Sequence, residues 1–165
     1  MPAGADDARI DSLFRDCDYP DTPGASVLVV KDGAVLYERG YGLADVEDRC
    51  PIGPTTNFRL ASLTKQFTAM AIMILKEQGL LTYEQSLGDL IPDFPSYGRT
   101  VKIRHLLNHT SGLHDYENLI PDTRQGQLND QDVIDILKRE CTTYFAPGSQ
   151  YRYGNSSYEI GRAHV

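Results

Sequence analysis

One apolar run limits what this chain can become. Residues 67–75 (Phe-Thr-Ala-Met-Ala-Ile-Met-Ile-Leu) are apolar all round a helical wheel except at Thr68. A helix of that composition belongs in an interior rather than on a surface. Gly79 supplies the left-handed stop that commonly follows a helix end. The segment then has about 17 helical residues and a length of roughly 25 Å. That is too short for a membrane span, whose apolar stretch alone needs about 20 residues. A chain of 165 residues can bury such a rod in one domain-sized core, so the fold has to be organised around this helix.

The helix begins with Ser62-Leu63-Thr64-Lys65. Residues three apart on a helix share a face, which sets a hydroxyl beside an amine as a minimal nucleophile-and-base pair. The free N–H groups and positive dipole end of a helix start favour an oxyanion on the serine. The same field disfavours a charged lysine and pushes its pKa toward the range where it can accept a proton. On its own an S-x-x-K pattern arises by chance about once in a chain this long. Its plain reading is then a surface N-cap serine with a solvated lysine one turn on. The apolar helix behind the motif argues against that, because it holds the first turn rigidly.

A second pair of candidates is Tyr153 and Asn155, in Tyr153-Gly154-Asn155 after the turn signal Ala146-Pro147-Gly148. A tyrosine close to a lysine can share its proton and act as a general base. An asparagine amide can orient a substrate carbonyl or a lysine ammonium. The competing reading is a loop tyrosine that packs its ring and an asparagine that caps a helix starting at Ser156.

These two motifs, with His109-Thr110-Ser111-Gly112-Leu113 between them, resemble the serine β-lactamase and penicillin-binding-protein superfamily. Tyr-Gly-Asn in place of Ser-Asp-Asn is similar to the class C and esterase branch. The segments Pro23-Gly24-Ala25, Tyr41-Gly42-Leu43-Ala44-Asp45 and Phe58-Arg59-Leu60-Ala61-Ser62 fit the same pattern, as does the run from Ile103 to Gly112. The resemblance covers roughly residues 8 to 160. It implies an α+β, β-lactamase/transpeptidase-like fold, with an antiparallel sheet, packing helices and a largely helical region. Ser62 is then the nucleophile, Lys65 and Tyr153 the proton-handling pair, and Asn155 a substrate-binding residue. The substrate is a small-molecule ester or amide, of β-lactam or D-Ala-peptide type, and neither metal nor organic cofactor is needed. The third family motif, Lys-Thr-Gly or His-x-Gly on a strand, lies well downstream of Y-x-N, and no such strand precedes Val165. The expectation is a partial domain over residues 1–165 with its C-terminal strands missing, and Gly161-Arg162-Ala163-His164-Val165 reads as a broken continuation of a helix.

The rest of the chain is consistent with α+β. An amphipathic helix is expected over residues 8–17, with Ile10, Leu13 and Phe14 on one face. A strand over residues 25–30, a turn at Lys31-Asp32-Gly33 and a returning strand over 34–39 read as a hairpin. Residues 43–56 read as loop. Thr100 is expected to cap a short helix carrying Val101, Ile103, Leu106 and Leu107. Asn129 is expected to cap another whose stripe is Val133, Ile136 and Leu137. His105 and His109 are four apart, but Leu106 stands where the glutamate of an H-E-x-x-H zinc motif would be. A structural role for His109, bonding loop backbone, is the better reading. Asp115-Tyr116-Glu117 reads as solvated loop. Cys17, Cys50 and Cys141 read as unpaired thiols. A net charge of −7 and a pI near 5.0 argue against nucleic acid and anionic membrane as partners. Residues 1–9 contain no apolar core of a signal peptide, although the family is often periplasmic or secreted.

Two functions compete. One is a serine hydrolase working through an acyl-enzyme. The other is a truncated or non-catalytic β-lactamase-like fragment or binding module without a complete active site. A lone two-stranded hairpin is marginal in water, and its unpaired edges invite self-association. The isolated chain is therefore expected to be weakly stable and self-associating, with little or no turnover, which size-exclusion chromatography and a thermal melt will test. A monomer with a sharp cooperative transition and ester turnover like that of complete enzymes would refute it.

Overall fold

The computed structural model describes residues 5–121 and 123–162, in two compact units, Met1–Arg59 and Leu60–Val165. The N-terminal unit is built on a hairpin. Strands β1 (Ala25–Lys31) and β2 (Ala34–Tyr41) pair antiparallel around Asp32 and Gly33, both at positive φ, the geometry of a type I′ turn. The register steps from Val29↔Tyr37 to Val30↔Val35. Leu36 is thus one extra residue, a bulge of the kind that bends a strand. Among the described residues this sheet has no third strand, and Leu28, Val30, Val35 and Leu36 are exposed.

The hairpin is anchored through a polar knot. Tyr37 and Tyr41 are buried. The Tyr41 hydroxyl donates to Asp11 Oδ1 at 2.8 Å, Tyr37 hydrogen-bonds both, and Arg39 pairs with Asp11 at 2.8 Å. Hydrogen bonds from Tyr37 and Tyr41, and then the Arg39 charge, hold the Asp11 carboxyl below the usual range. Asp11 lies on α1 (Ala5–Leu13). The helix expected over 8–17 breaks at Phe14 and resumes as a 3-10 turn, Arg15–Cys17. Phe14 stacks on Tyr41 at 5.1 Å, while Leu13 is left 80% exposed. Of the apolar face assigned to it, Ile10 and Phe14 are half-buried and only Leu13 is not, and Asp11 adds a polar anchor. Within the expected loop, β3 (Leu43–Asp45) and β4 (Cys50–Pro51) form a short antiparallel pair.

The C-terminal unit carries the long helix. A 3-10 turn, Ala61–Leu63, runs into α2 (Thr64–Glu77). Gly79 at φ +74 closes it with two bonds, Gly79 N–H to Lys76 O and Leu80 N–H to Leu75 O, both 3.0 Å, which is the Schellman pattern. Three short helices follow, α3 (Leu87–Leu90), α4 (Ile103–Leu107) and α5 (Asp130–Lys138). They enclose a core of Leu87, Ile91, Phe94, Val101, Leu106, Leu113, Val133, Ile134 and Leu137. Helix α6 (Ser156–Arg162) packs against α2, α4 and α5. Residues 163–165, the end of the expected broken continuation, lie outside the described residues.

Three local expectations change. Thr100 does not cap α4; its hydroxyl donates back to Tyr97 O at 2.8 Å and closes the 3-10 turn Ser96–Arg99. The α4 start is tied instead by Lys102 N–H donating to His105 Nδ1 at 3.2 Å. Asn129 does cap α5, accepting from Asp132 N–H at 2.9 Å while Asp132 accepts from Asn129 N–H at 3.0 Å, a reciprocal capping box. The buried stripe of α5 contains Ile134 in place of Ile136, because the core wraps further round the helix than a single i, i+3/i+4 row. Finally, α2 is not enclosed. Thr68 and Ile72 are buried, but Phe67, Met70, Met73 and Ile74 are 46–62% exposed. Within this unit α6 covers only one side of an all-round apolar helix. Leu137 is fully buried at the centre of the core, so Leu137→Ala should cost about 2–5 kcal/mol in urea unfolding.

Candidate active site

The chain enters α2 through a constrained residue. Ala61 sits at φ +47, a left-handed conformation costing an alanine about 1–2 kcal/mol. Leu60 before it is right-handed (φ −76, ψ −8), and Ser62 follows it on the 3-10 turn that leads into α2. The Ser62 hydroxyl caps nothing: no side chain caps either the 3-10 turn or α2. Its Oγ lies 2.6 Å from the Tyr153 hydroxyl and 3.3 Å from Lys65 Nζ, which donates to it. Half-buried Lys65 also donates to Asn155 Oδ1 at 2.6 Å. The four residues singled out in the sequence, Ser62, Lys65, Tyr153 and Asn155, therefore meet in one hydrogen-bonded cluster.

A second set of contacts brings the distant pair to Ser62 and Lys65. Residues 109–112 and 144–152 run side by side, joined by Tyr144 N–H to Gly112 O (2.7 Å), Gly148 N–H to Thr110 O (2.8 Å) and Arg152 N–H to His109 O (2.9 Å). Gly112 is required here: its φ is +70, and a Cβ would lie 2.4 Å from Phe145 O. The guanidinium of Arg152 lies over the Tyr144 ring at 3.9 Å, with His114 on Tyr144 at 4.1 Å. The start of α6 is pinned by Ser156 Oγ, which donates to His114 O and accepts from Tyr116 N–H, both 2.8 Å. The Ser157 and Ser111 hydroxyls meet in the interior at 3.1 Å. Asn155 is thus not a side-chain helix cap. Its carbonyl oxygen faces Lys65, and its Nδ2 donates to Glu117 Oε1 at 2.9 Å.

The electrostatics favour proton transfer at Tyr153. Hydrogen bonds from Lys65, and then from Ser62, pull its phenol below the ordinary tyrosine range against a smaller desolvation effect. Lys65 Nζ also lies 5.0 Å from the Tyr153 ring centre and 5.7 Å from that of Tyr158, a cation–π setting. Tyr158 is fixed by its hydroxyl donating to Leu107 O at 2.8 Å.

Residues 115–117, read from sequence as solvated loop, border the cluster. Glu117 orients the Asn155 amide, and Asp115 Oδ2 accepts from Asn155 N–H at 3.4 Å. No spacing signal marks these two, because their partner lies about forty residues away. His109 also departs from expectation. Its side chain bonds no loop backbone, and Nδ1 is buried without a partner, while the ring packs on tyrosines. His105 is occupied at the start of α4. Among the described residues no group of three or more His, Cys, Asp or Glu side chains is placed to hold a metal ion, the three cysteines are free thiols, and no helix is long and apolar enough to cross a membrane.

A helix-borne serine and lysine facing a tyrosine and an asparagine, on an α+β scaffold, is the arrangement of the serine β-lactamase and penicillin-binding-protein group. The β-lactamase family model matches residues 10–163, and the chain belongs to that family. It is 37% identical over 156 residues to penicillin-binding protein 4* of Bacillus subtilis, covering 92% of this chain and 34% of that protein. Among solved structures it is similar to EstCE1, a hydrolase with promiscuous acyltransferase activity (TM-score 0.72, 27% identity, 93% of this chain and 44% of the other). It is also similar to the D-amino acid amidase of Ochrobactrum anthropi SV3 (TM-score 0.64, 28% identity, 83% and 37%). The chain spans about a third of the length of the curated relatives it matches.

Because the Tyr153 phenol titrates below its usual range, its deprotonated fraction rises earlier with pH. The rate of covalent labelling at Ser62 by a fluorophosphonate should therefore climb with pH through a midpoint below about 10. Tyr153→Phe should abolish that limb of the profile.

Proposed function

We propose that the chain carries the chemistry of a serine hydrolase that acts through an acyl-enzyme on ester or amide carbonyls. The reading rests on one observation above the others: Ser62 Oγ stands 2.6 Å from the Tyr153 hydroxyl and 3.3 Å from Lys65 Nζ at the N-terminal end of a long helix. In this scheme the Ser62 proton passes to the Lys65–Tyr153 pair as Oγ bonds to the substrate carbonyl carbon. Negative charge on the carbonyl oxygen is met by the Ser62 N–H and the positive end of the helix. The tetrahedral adduct collapses with loss of the leaving group, which takes the proton back, and leaves an acyl ester on Ser62. Water, deprotonated by the same pair, then cleaves that ester to a free acid and restores the serine hydroxyl. Asn155, held between Lys65 and Glu117, keeps the ammonium in register and offers its amide to the substrate.

The relatives support the hydrolase reading. A penicillin-binding protein, a hydrolase with promiscuous acyltransferase activity and a D-amino acid amidase are consistent with attack on an ester or amide carbonyl. β-Lactams and D-Ala-type peptides fall within that class. A binding module without turnover is the competing reading. Its support is the exposure of the nucleophile and of Tyr153, which is 46% exposed, so that water has ready access where a closed pocket strengthens electrostatics.

The test is labelling of the chain by a fluorophosphonate and by a fluorescent penicillin, with the adduct located by peptide mass spectrometry. Label is expected on Ser62 and nowhere else; a label that survives Ser62→Ala would end the assignment. Lys65→Arg keeps a charge that cannot be shed and should cut the labelling rate by at least about 100-fold. Acylation without release of p-nitrophenol beyond one equivalent from its esters would favour the binding module.

A further inference from the structure

His109 lies beside the Ser62 cluster, and its features enter no step of that scheme. It holds a left-handed backbone at φ +58, which asparagine or glycine would adopt more cheaply. Its ring centre lies 4.6 Å from that of Tyr153, 5.3 Å from Tyr158 and 6.0 Å from Tyr151. Its carbonyl accepts from Arg152 N–H, next to Tyr153, at 2.9 Å, and its N–H donates to Leu106 O at 3.2 Å. One residue thus grips the tyrosine segment twice, by main chain beside Tyr153 and by ring against the phenol itself.

We infer that His109 is a positioning residue for the general base: its ring is a plate that holds the Tyr153 hydroxyl against Ser62 and Lys65. The inference rests on the reading of Tyr153 as part of the base. Strain retained at one residue calls for a compensating contact, and the plate against Tyr153 supplies it. The ring serves as a plate only while neutral. Protonation at Nδ1 would create a buried N–H with no acceptor and a second cation close to Lys65. Burial, and then the Lys65 charge, keep His109 below the usual histidine range, in agreement with that geometry. The Ser62–Tyr153 separation of 2.6 Å leaves little tolerance, since a displacement of about 1 Å can cost on the order of 100-fold in rate.

The test is a double-mutant cycle on the whole chain, reading the second-order rate of Ser62 labelling by a fluorophosphonate alongside the melting temperature. His109→Asn removes the ring and tolerates the backbone. It should slow labelling by about 10–100-fold with little change in melting temperature. His109→Phe keeps a flat plate and should restore the rate to within a few-fold of wild type. In a Tyr153→Phe background, His109→Asn should add no further loss, because it acts only through the phenol. Labelling within threefold of wild type in His109→Asn would overturn the inference. So would losses that multiply in the double variant, which mark an independent structural role, or a folded His109→Phe as slow as His109→Asn. A slow Tyr153→Phe with a normal His109→Asn would remove only this inference. A wild-type rate in Tyr153→Phe would remove the base assignment and this inference with it.

Discussion

Three main-chain hydrogen bonds, from Tyr144, Gly148 and Arg152 to Gly112, Thr110 and His109, hold the rest of the site in place. They tie a loop that follows α4 to a segment that precedes α6, and so carry Tyr153 and Asn155 to a helix start ninety residues earlier in the chain. Each bond nets only about 1 kcal/mol. Together with the Arg152–Tyr144–His114 stack and the buried serine pair, they turn two irregular segments into a rigid wall. The αL glycine at position 112 is the price of that close approach.

On this wall the charges are arranged to be mutually dependent. Lys65 donates to Ser62 and Asn155, the Tyr153 and Ser62 hydroxyls hydrogen-bond to each other, and Asn155 is turned by Glu117. A partly buried ammonium is tolerable only with such acceptors and aromatic faces around it. The same contacts pull the tyrosine phenol below its ordinary range. Structural satisfaction of the ammonium and the lowered phenol pKa therefore have one cause. Two residues at strained backbone angles, Ala61 and His109, flank the cluster on its two walls, as is common where a fold trades local stability for the aim of a side chain.

The N-terminal unit works differently. Its interior is small, built on Tyr37, Tyr41, Leu43 and Ile52, with two tyrosine hydroxyls and an arginine converging on a partly exposed Asp11, while much of its hairpin's apolar surface remains exposed. Helix α2 shows the same disparity, with an apolar circumference and cover on one side. Both elements carry more apolar surface than the described residues enclose.

What the sequence determined by itself is what local chemistry dictates. Residues 67–75 can only be a largely apolar helix, Gly79 ends it, Asp32-Gly33 turns a hairpin, and Asn129 with Asp132 starts a helix, because each signal acts within a few residues. The Ser62–Lys65 pairing is legible for the same reason, since helix geometry alone puts them on one face. Tyr153 and Asn155 were legible only as part of a family pattern, their own spacing being common. What only the tertiary structure decided depends on partners far apart in the chain. Glu117 and Asp115 become supports of Asn155, His109 turns from a loop-bonding residue into a plate against Tyr153, Thr100 closes the turn before it rather than the helix after it, and Leu13 is left in solvent. A contact between residues forty or ninety positions apart leaves no periodic trace, so nothing in the linear order distinguishes a glutamate in solvent from one that orients an active-site amide.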